Sequence, residues 1–314
     1  MRLSVYLIGC LLSLVLLSGA AYADERLIAV ILTRDTPRYQ AVHEIFVERF
    51  GQPKGVKLYV QQPNGDTLSL RNSARKAVAI GADAILTYGA TATRAALAES
   101  YKTPVFYADV IDPMVQGFIP DQFTPGENVT GIRGDAPVQT LLKHFQTATG
   151  ASRLCALYPK DEMSADNQVE SLRRIAEKKG WEVLPKPFNR SMDAAAILRL
   201  VPGKCLGIYC ADSLVFLKQA KELVDMANKK KLPIISQIPG MAEEGAFMVL
   251  ETDPAEQGGQ IADYLLRFLH GASLAELPPE RPRNVSLVIN LKTAKQLGIK
   301  VPFEVLSVTN RIIR

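Results

Sequence analysis

The run Pro104-Val-Phe-Tyr-Ala-Asp-Val-Ile-Asp-Pro113 begins as an apolar, β-prone strand and stops at an Asp-Pro step, with Gly117 four residues beyond the proline. A strand this apolar is one covered on both faces, the situation of an inner strand in a parallel sheet packed between helices. A plain connection needs neither a carboxylate nor a rigid turn, so Asp112-Pro113 is a candidate for a purpose beyond chain reversal. The simpler alternative is a turn with proline at a favoured position.

The same rhythm extends both ways from this stretch. Upstream, strands are predicted at 27–32, 56–60 and 84–88, with helical patterns at 38–50, 68–80 and 91–100. Downstream, a helix at 137–147 precedes a second round, with strands at 154–158, 182–184, 206–210 and 233–235 and helices at 167–179, 194–200 and 214–229. Short apolar strands alternating with helices are the mark of βαβ units. The tail adds a strand at 247–250, a helix at 255–270, a link through Pro278, Pro279 and Pro282, and a strand at 285–291. The fold class is therefore α/β, with two Rossmann-like lobes built on parallel sheets. The extra tail elements imply that the chain passes between the lobes more than once. The expected division is 25–131 plus 251–283 for one lobe and 132–250 plus 284–314 for the other.

Bulk properties agree with that size. The 314 residues are 47% apolar and 22% charged, enough for two cores of about 130 to 150 residues each. The net charge of +5 is spread through the chain, which gives no signal for nucleic acid. Lys229-Lys-Lys231, the one basic run, closes a predicted helix, where cations suit the dipole.

The N-terminus reads as a cleavable secretory signal over 1–23: a positive start at Arg2, an apolar core over 5–17, and Ala21-Tyr-Ala23 before Asp24. The apolar run is too short to span a bilayer comfortably. The expected location is outside the cytoplasm. Leu7-Ile-Gly-Cys10 spells a lipoprotein-type box, but most of the apolar stretch follows the cysteine, so soluble export is the preferred reading. Removal of Cys10 leaves Cys155, Cys205 and Cys210, an odd count with at least one free thiol. All three lie in apolar runs and read as small buried residues; one disulfide among them is the alternative.

Ligands of open α/β sheets lie beyond the carboxyl ends of the strands. The loops there offer Thr33, Tyr88, Thr91 and Asp112 in the first half, and Ser164, Asp212, Ser213 and Gln237 in the second. Helix N-termini attract anions, so such a rim suits a carboxylate, and its acidic side chains suit an ammonium group. Each residue taken alone also fits an ordinary helix cap. Signals for catalysis are absent: His43, His144 and His270 fall within predicted helices, and there is no G-x-S-x-G elbow or phosphate loop. No metal or cofactor is called for.

Three segments carry a family resemblance: Pro104–Pro113 with Gly117, Asn128-Val-Thr-Gly131, and the ending Leu287-Val-Ile-Asn-Leu-Lys-Thr-Ala-Lys-Gln-Leu-Gly-Ile-Lys-Val-Pro302. Over almost the whole mature chain the sequence resembles the substrate-binding proteins of bacterial ABC transporters, the group that includes tryptophan- and tyrosine-type receptors. That resemblance implies a type I periplasmic-binding-protein fold, a hinge of three crossings, and a small ligand held between the lobes, with contacts from the loops at Thr33, Thr91 and Asp112 on one side and at Ser164, Asp212, Ser213, Ser236 and Gln237 on the other. Asn128-Val-Thr-Gly131 would mark the first crossing. It further implies a monomer that delivers its ligand to an ABC permease in the inner membrane by hinge closure. The chain departs from the family pattern at Ile111, where Ser or Thr is commoner, and after Tyr158, where the usual Asn is missing. A receptor serving a membrane signalling kinase is the alternative from the same fold. An enzyme on this scaffold would need a nucleophile, base or cofactor motif that the loops do not offer.

Overall fold

The structure, a computed structural model, describes residues 25–34 and 36–314. The signal segment and Cys10 lie outside the described residues. Two separate sheets organise the chain, as the doubled alternation predicts.

The first sheet runs in the order β2 (Val56–Gln61), β1 (Arg26–Ile31), β3 (Ala84–Tyr88), β4 (Val105–Val110), β5 (Val129–Arg133). All its pairings are parallel. Strands β3, β4 and β5 are buried along their full length, whereas edge strand β2 is partly exposed. Helices α1 (Pro37–Phe50), α2 (Thr67–Ala79) and α3 (Gly89–Glu99) connect the strands. Two apolar layers result. Val42 and Phe46 of α1 pack on one face beside Ile261 and Leu265 of a helix from much later in the chain. Leu70 and Ala74 of α2 and Ala92 and Ala96 of α3 cover the other face.

The Asn128-Val-Thr-Gly131 element, expected to mark the first crossing between lobes, lies within the first lobe. The Asn128 amide donates to the carbonyls of Ser100 (3.2 Å) and Thr103 (2.9 Å), and the Thr130 hydroxyl donates to the Leu277 carbonyl (2.5 Å). Gly131 passes so near the backbone of Tyr107 that a Cβ would collide with its carbonyl oxygen and nitrogen. Backbone cannot step aside as a side chain can, so Gly131→Ala is expected to cost at least about 1–3 kcal/mol. Urea unfolding of the variant checks this, and an unchanged midpoint would mean that β4 and β5 tolerate a wider spacing.

The second sheet runs β12 (Arg311–Ile313), β11 (Val285–Asn290), β10 (Met248–Thr252), β9 (Ile234–Ser236), β8 (Ile208–Cys210), β6 (Arg153–Pro159), β7 (Glu182–Phe188). Its helices are α4 (Val138–Thr149), α5 (Met163–Glu177), α6 (Ala194–Arg199) and α7 (Leu214–Lys229), with α9 (Leu291–Leu297) and the short α10 (Phe303–Leu306) at the end. Strands β6 to β10 pair in parallel, but β11 is antiparallel to β10. The reversal has a cause in the path between them. After β10 the chain leaves for the first lobe as α8 (Pro254–Leu269), started by the Asp253 cap and Pro254, and it returns from the opposite direction.

Three segments therefore link the lobes: 134–137 after β5, Asp253 before α8, and the return that follows the bridge of Glu280 to Ile132 and enters β11. Gly258 lets α8 settle on α1, since a Cβ there would meet the Val42 carbonyl and Ile45. Cys155 of β6 is joined to Cys205, which precedes β8, by a disulfide, and Cys210 is a buried free thiol. Among the described residues, no helix is long and apolar enough to cross a membrane.

Candidate functional site

The carboxyl ends of the two sheets face each other and enclose a cavity of about 80 Å³. Water needs roughly 10–15 Å³ on the same measure, so the space suits a small solute and excludes a polymer. Among the residues expected at the rim, Thr33, Tyr88 and Thr91 of the first lobe and Asp212 and Ser213 of the second line this cavity. Asp112 and Gln237 do not; they line a larger, more open cavity of about 1070 Å³ beside the hinge. Ser164 occupies the first turn of α5, two residues after Glu162.

The strand that ends in Asp112 explains its displacement. The pairing of β4 with β5 shifts register between Ala108 and Val110, and Asp109 there takes a left-handed φ of 58°. Such a bulge adds a residue and re-aims the side chains after it, and Asp is among the few residue types that accept positive φ readily. The carboxylate delivered to the cavity is thus that of Asp109. Asp112, itself at φ 45°, turns to the side of the cleft. Its Oδ1 accepts from the Val115 amide (3.4 Å), a capping contact, and its Oδ2 accepts from the Ser171 hydroxyl of the other lobe (2.7 Å). Gln237 is tied to the first crossing: its amide donates to the Ala136 carbonyl there (2.6 Å) and its oxygen accepts from the Tyr209 hydroxyl (3.0 Å).

Arg38 dominates the floor of the cavity. It enters with the first turn of α1, where Pro37 starts the helix. Its side chain is 6% exposed and lies between carboxylates of both lobes: one guanidinium nitrogen pairs closely with Asp109, and the other donates to Asp212 at 3.0 Å. Burial works against the Arg38 charge, but Asp109 and Asp212 outweigh it and hold the guanidinium above its ordinary pKa. Burial raises the Asp109 carboxyl, opposed chiefly by Arg38. The same cluster reaches two crossings. Arg38 donates to the Gly134 carbonyl (3.3 Å), and Gln257 of α8 donates to Asp109 (3.1 Å) and to the Arg133 carbonyl (3.1 Å).

The second lobe contributes a matching wall. Ser213 caps α7 by accepting from the Val215 amide (3.3 Å) and donates its own proton to Glu162 (2.7 Å), so the cap also stands at the cavity wall. Burial raises the Glu162 carboxyl, with Ser213 and Arg190 opposing. Gln168 of α5 accepts from the Asp212 amide (2.7 Å) and lines both cavities. Tyr88 presents its ring to the cavity while its hydroxyl shares a 2.9 Å hydrogen bond with His43. Helix α3 begins behind Tyr88 with no side-chain cap, and Thr91 stands in its first turn. Its free N–H groups and positive dipole end face a site that can take an anion.

Arg38, Asp109, Glu162 and Gln168 escape a search confined to hydroxyl and Asx residues at strand ends. Two of them do leave a trace. A cation in the first turn of a helix opposes the dipole, and a lone carboxylate inside a fully apolar strand is costly to bury without a partner. Arg38 and Asp109 are those two anomalies, and each is the other's partner.

Residues 47–313 match the family described as ABC transporter substrate binding protein. A tyrosine-binding protein of Clostridioides difficile (strain R20291) is 24% identical over 246 residues, covering 78% of this chain and 71% of the relative. Among solved structures, an ABC domain from Streptococcus pneumoniae in complex with L-Trp superposes with a TM-score of 0.83 at 23% identity, covering 92% of this chain and 100% of that one. A ligand-free, open substrate-binding protein with adhesive properties from Clostridium difficile gives 0.71 at 21% identity, covering 92% of this chain and 99% of that one. The fold is the type I periplasmic-binding-protein fold.

Proposed function

Because the chain belongs to the ABC transporter substrate binding protein family, we propose that it is an exported receptor that captures a small polar solute of amino-acid type and delivers it to an ABC importer. The observation that carries this reading is a cavity walled by both lobes, with Arg38 and Asp212 meeting across it at 3.0 Å. A solute in that space touches both lobes only when they are together. Its binding energy therefore favours the closed arrangement, and inverting a 99:1 open preference takes about 5.5 kcal/mol of such difference. The uncapped end of α3 with Thr91 suits a carboxylate, while Asp109, Asp212 and Glu162 suit an ammonium group. The relatives named for tyrosine and solved with L-Trp support an amino acid as ligand class.

In this reading the mature chain starts at Asp24 in the periplasm, hinges at the three crossings, and meets the permease as a monomer with both lobes presented together. Thr33, Tyr88, Thr91, Ser164, Asp212 and Ser213 contact the solute, while Asp112 and Gln237 act on closure. A thermal-shift screen of the twenty amino acids, followed by calorimetric titration, tests the function. Saturable binding without turnover supports it; no shift with any of them overturns it.

Closure itself is testable at Ser171. Its hydroxyl bridges to Asp112 across the lobes, and Ser171→Ala removes that bridge without touching the turn that Asp112 caps. A hydrogen bond to a charged group contributes about 1.5–3 kcal/mol, and partial exposure puts this one at the lower end. Ligand affinity is expected to fall about tenfold, with the melting temperature of the empty protein nearly unchanged. Equal affinity in both proteins would show that the Asp112–Ser171 contact plays no part in closure.

A further inference from the structure

We propose that the solute taken by this cleft is net cationic, a basic amino acid or a small diamine-type amine, and that Asp109 and Asp212 are the residues that select its charge. The inference rests on the receptor reading above and narrows it.

Among the described residues lining the cavity, the charged side chains are the carboxylates Asp109, Asp212 and Glu162 and the guanidiniums Arg38 and Arg190. The walls therefore carry one negative charge in surplus. The balance is tilted further because Arg190, about half exposed, is shared between Glu162 (3.4 Å) and Asp161 (3.3 Å). Arg38 is ion-paired on both lobes, with its Nε left without a partner among the described residues. Oδ2 of Asp109, on a side chain with no exposure, is buried without a hydrogen-bond partner among the described residues. A buried acceptor on an ionised group is expensive to leave unmet, and this one belongs to a residue of the cavity wall.

A zwitterionic solute does not remove the surplus, because its carboxylate cancels its ammonium. Helix α3 contributes only about half a positive charge at its end, which serves the solute's carboxylate. One more cation closes the balance, and acceptors for it exist in both lobes: Asp109 in the first, Asp212 and Glu162 in the second. Burial is the main cause that raises the carboxyls of both Asp109 and Glu162, and Asp212 adds to each in smaller measure.

The test is calorimetric titration of the mature full-length chain with L-lysine, L-ornithine and putrescine, against norleucine, Nε-acetyl-lysine and L-tyrosine. Lysine or ornithine is expected to bind at least tenfold more tightly than its uncharged counterpart. Asp212→Asn is expected to compress that ratio at least tenfold, with Glu162→Gln as the second variant should the first fail to fold. Binding of norleucine or tyrosine as tight as that of lysine would overturn the charge assignment and leave the amino-acid receptor standing. Binding of putrescine with no amino acid would do the reverse. Silence across the whole panel would overturn the charge assignment.

Discussion

Arg38→Met is expected to destabilise the protein by about 3–5 kcal/mol, the range for removing one partner of a buried ion pair and leaving the other charge unmet. The charge left behind is Asp109, whose side chain has no exposure and, among the described residues, keeps only the Gln257 amide as a donor once Arg38 is gone. Asp212 matters less to this cost because its side chain is 22% exposed and can be solvated. The double change Arg38→Met with Asp109→Ala is expected to recover most of the loss, since replacing a whole buried pair by apolar groups is often neutral or better. Urea unfolding of the two single variants and the double variant isolates the coupling. A melting temperature on the order of 10 °C lower for Arg38→Met alone follows from the usual scaling for a chain of this size. If the single and double variants are equally unstable, the pair is not what holds the cleft floor, and Arg38 acts through packing of its stem.

The same cluster shows how far the sequence could be read. The α/β alternation, its restart in a second lobe and the loops at the strand ends follow from local signals: apolar strands such as 84–88 and 105–110, the helices between them, and caps such as Asp66, Ser213 and Asp253. Those signals lie within a few residues of the structure they produce. The position of the Asp109 side chain does not. It depends on a register shift against β5 and on a guanidinium 71 residues earlier, and Asp212 lies 174 residues from that same guanidinium. Neither separation leaves a periodic trace. Asp112, next to a proline and at the end of the strand, has the louder local pattern; the bulge gives the cavity to Asp109 instead. The reversed strand β11 escaped for a similar reason, because its direction is set by the excursion of α8 to the other lobe.

Breaking the Cys155–Cys205 disulfide is expected to cost about 4 kcal/mol on the chain-entropy account, in which the gain grows with the logarithm of the loop closed. The two cysteines are 50 residues apart and enclose α5, β7 and α6. That segment includes Glu162 and Gln168, so it carries one wall of the cavity. Unfolded, the bridged chain cannot explore the conformations that an open 50-residue segment would, and both cysteines are buried, so the bridge also survives in the folded state without exposure to solvent thiols. The check has two parts. Thiol titration of the urea-unfolded chain from Asp24 onward should find one reactive cysteine, Cys210, and three after reduction. The Cys155→Ala, Cys205→Ala double variant should then unfold at lower urea than the oxidised parent, and its midpoint should not respond to added reductant. Three thiols without reduction would remove the bridge. An oxidised parent no more stable than the double variant would mean that the apolar packing of the two side chains, and not the cross-link, stabilises this wall.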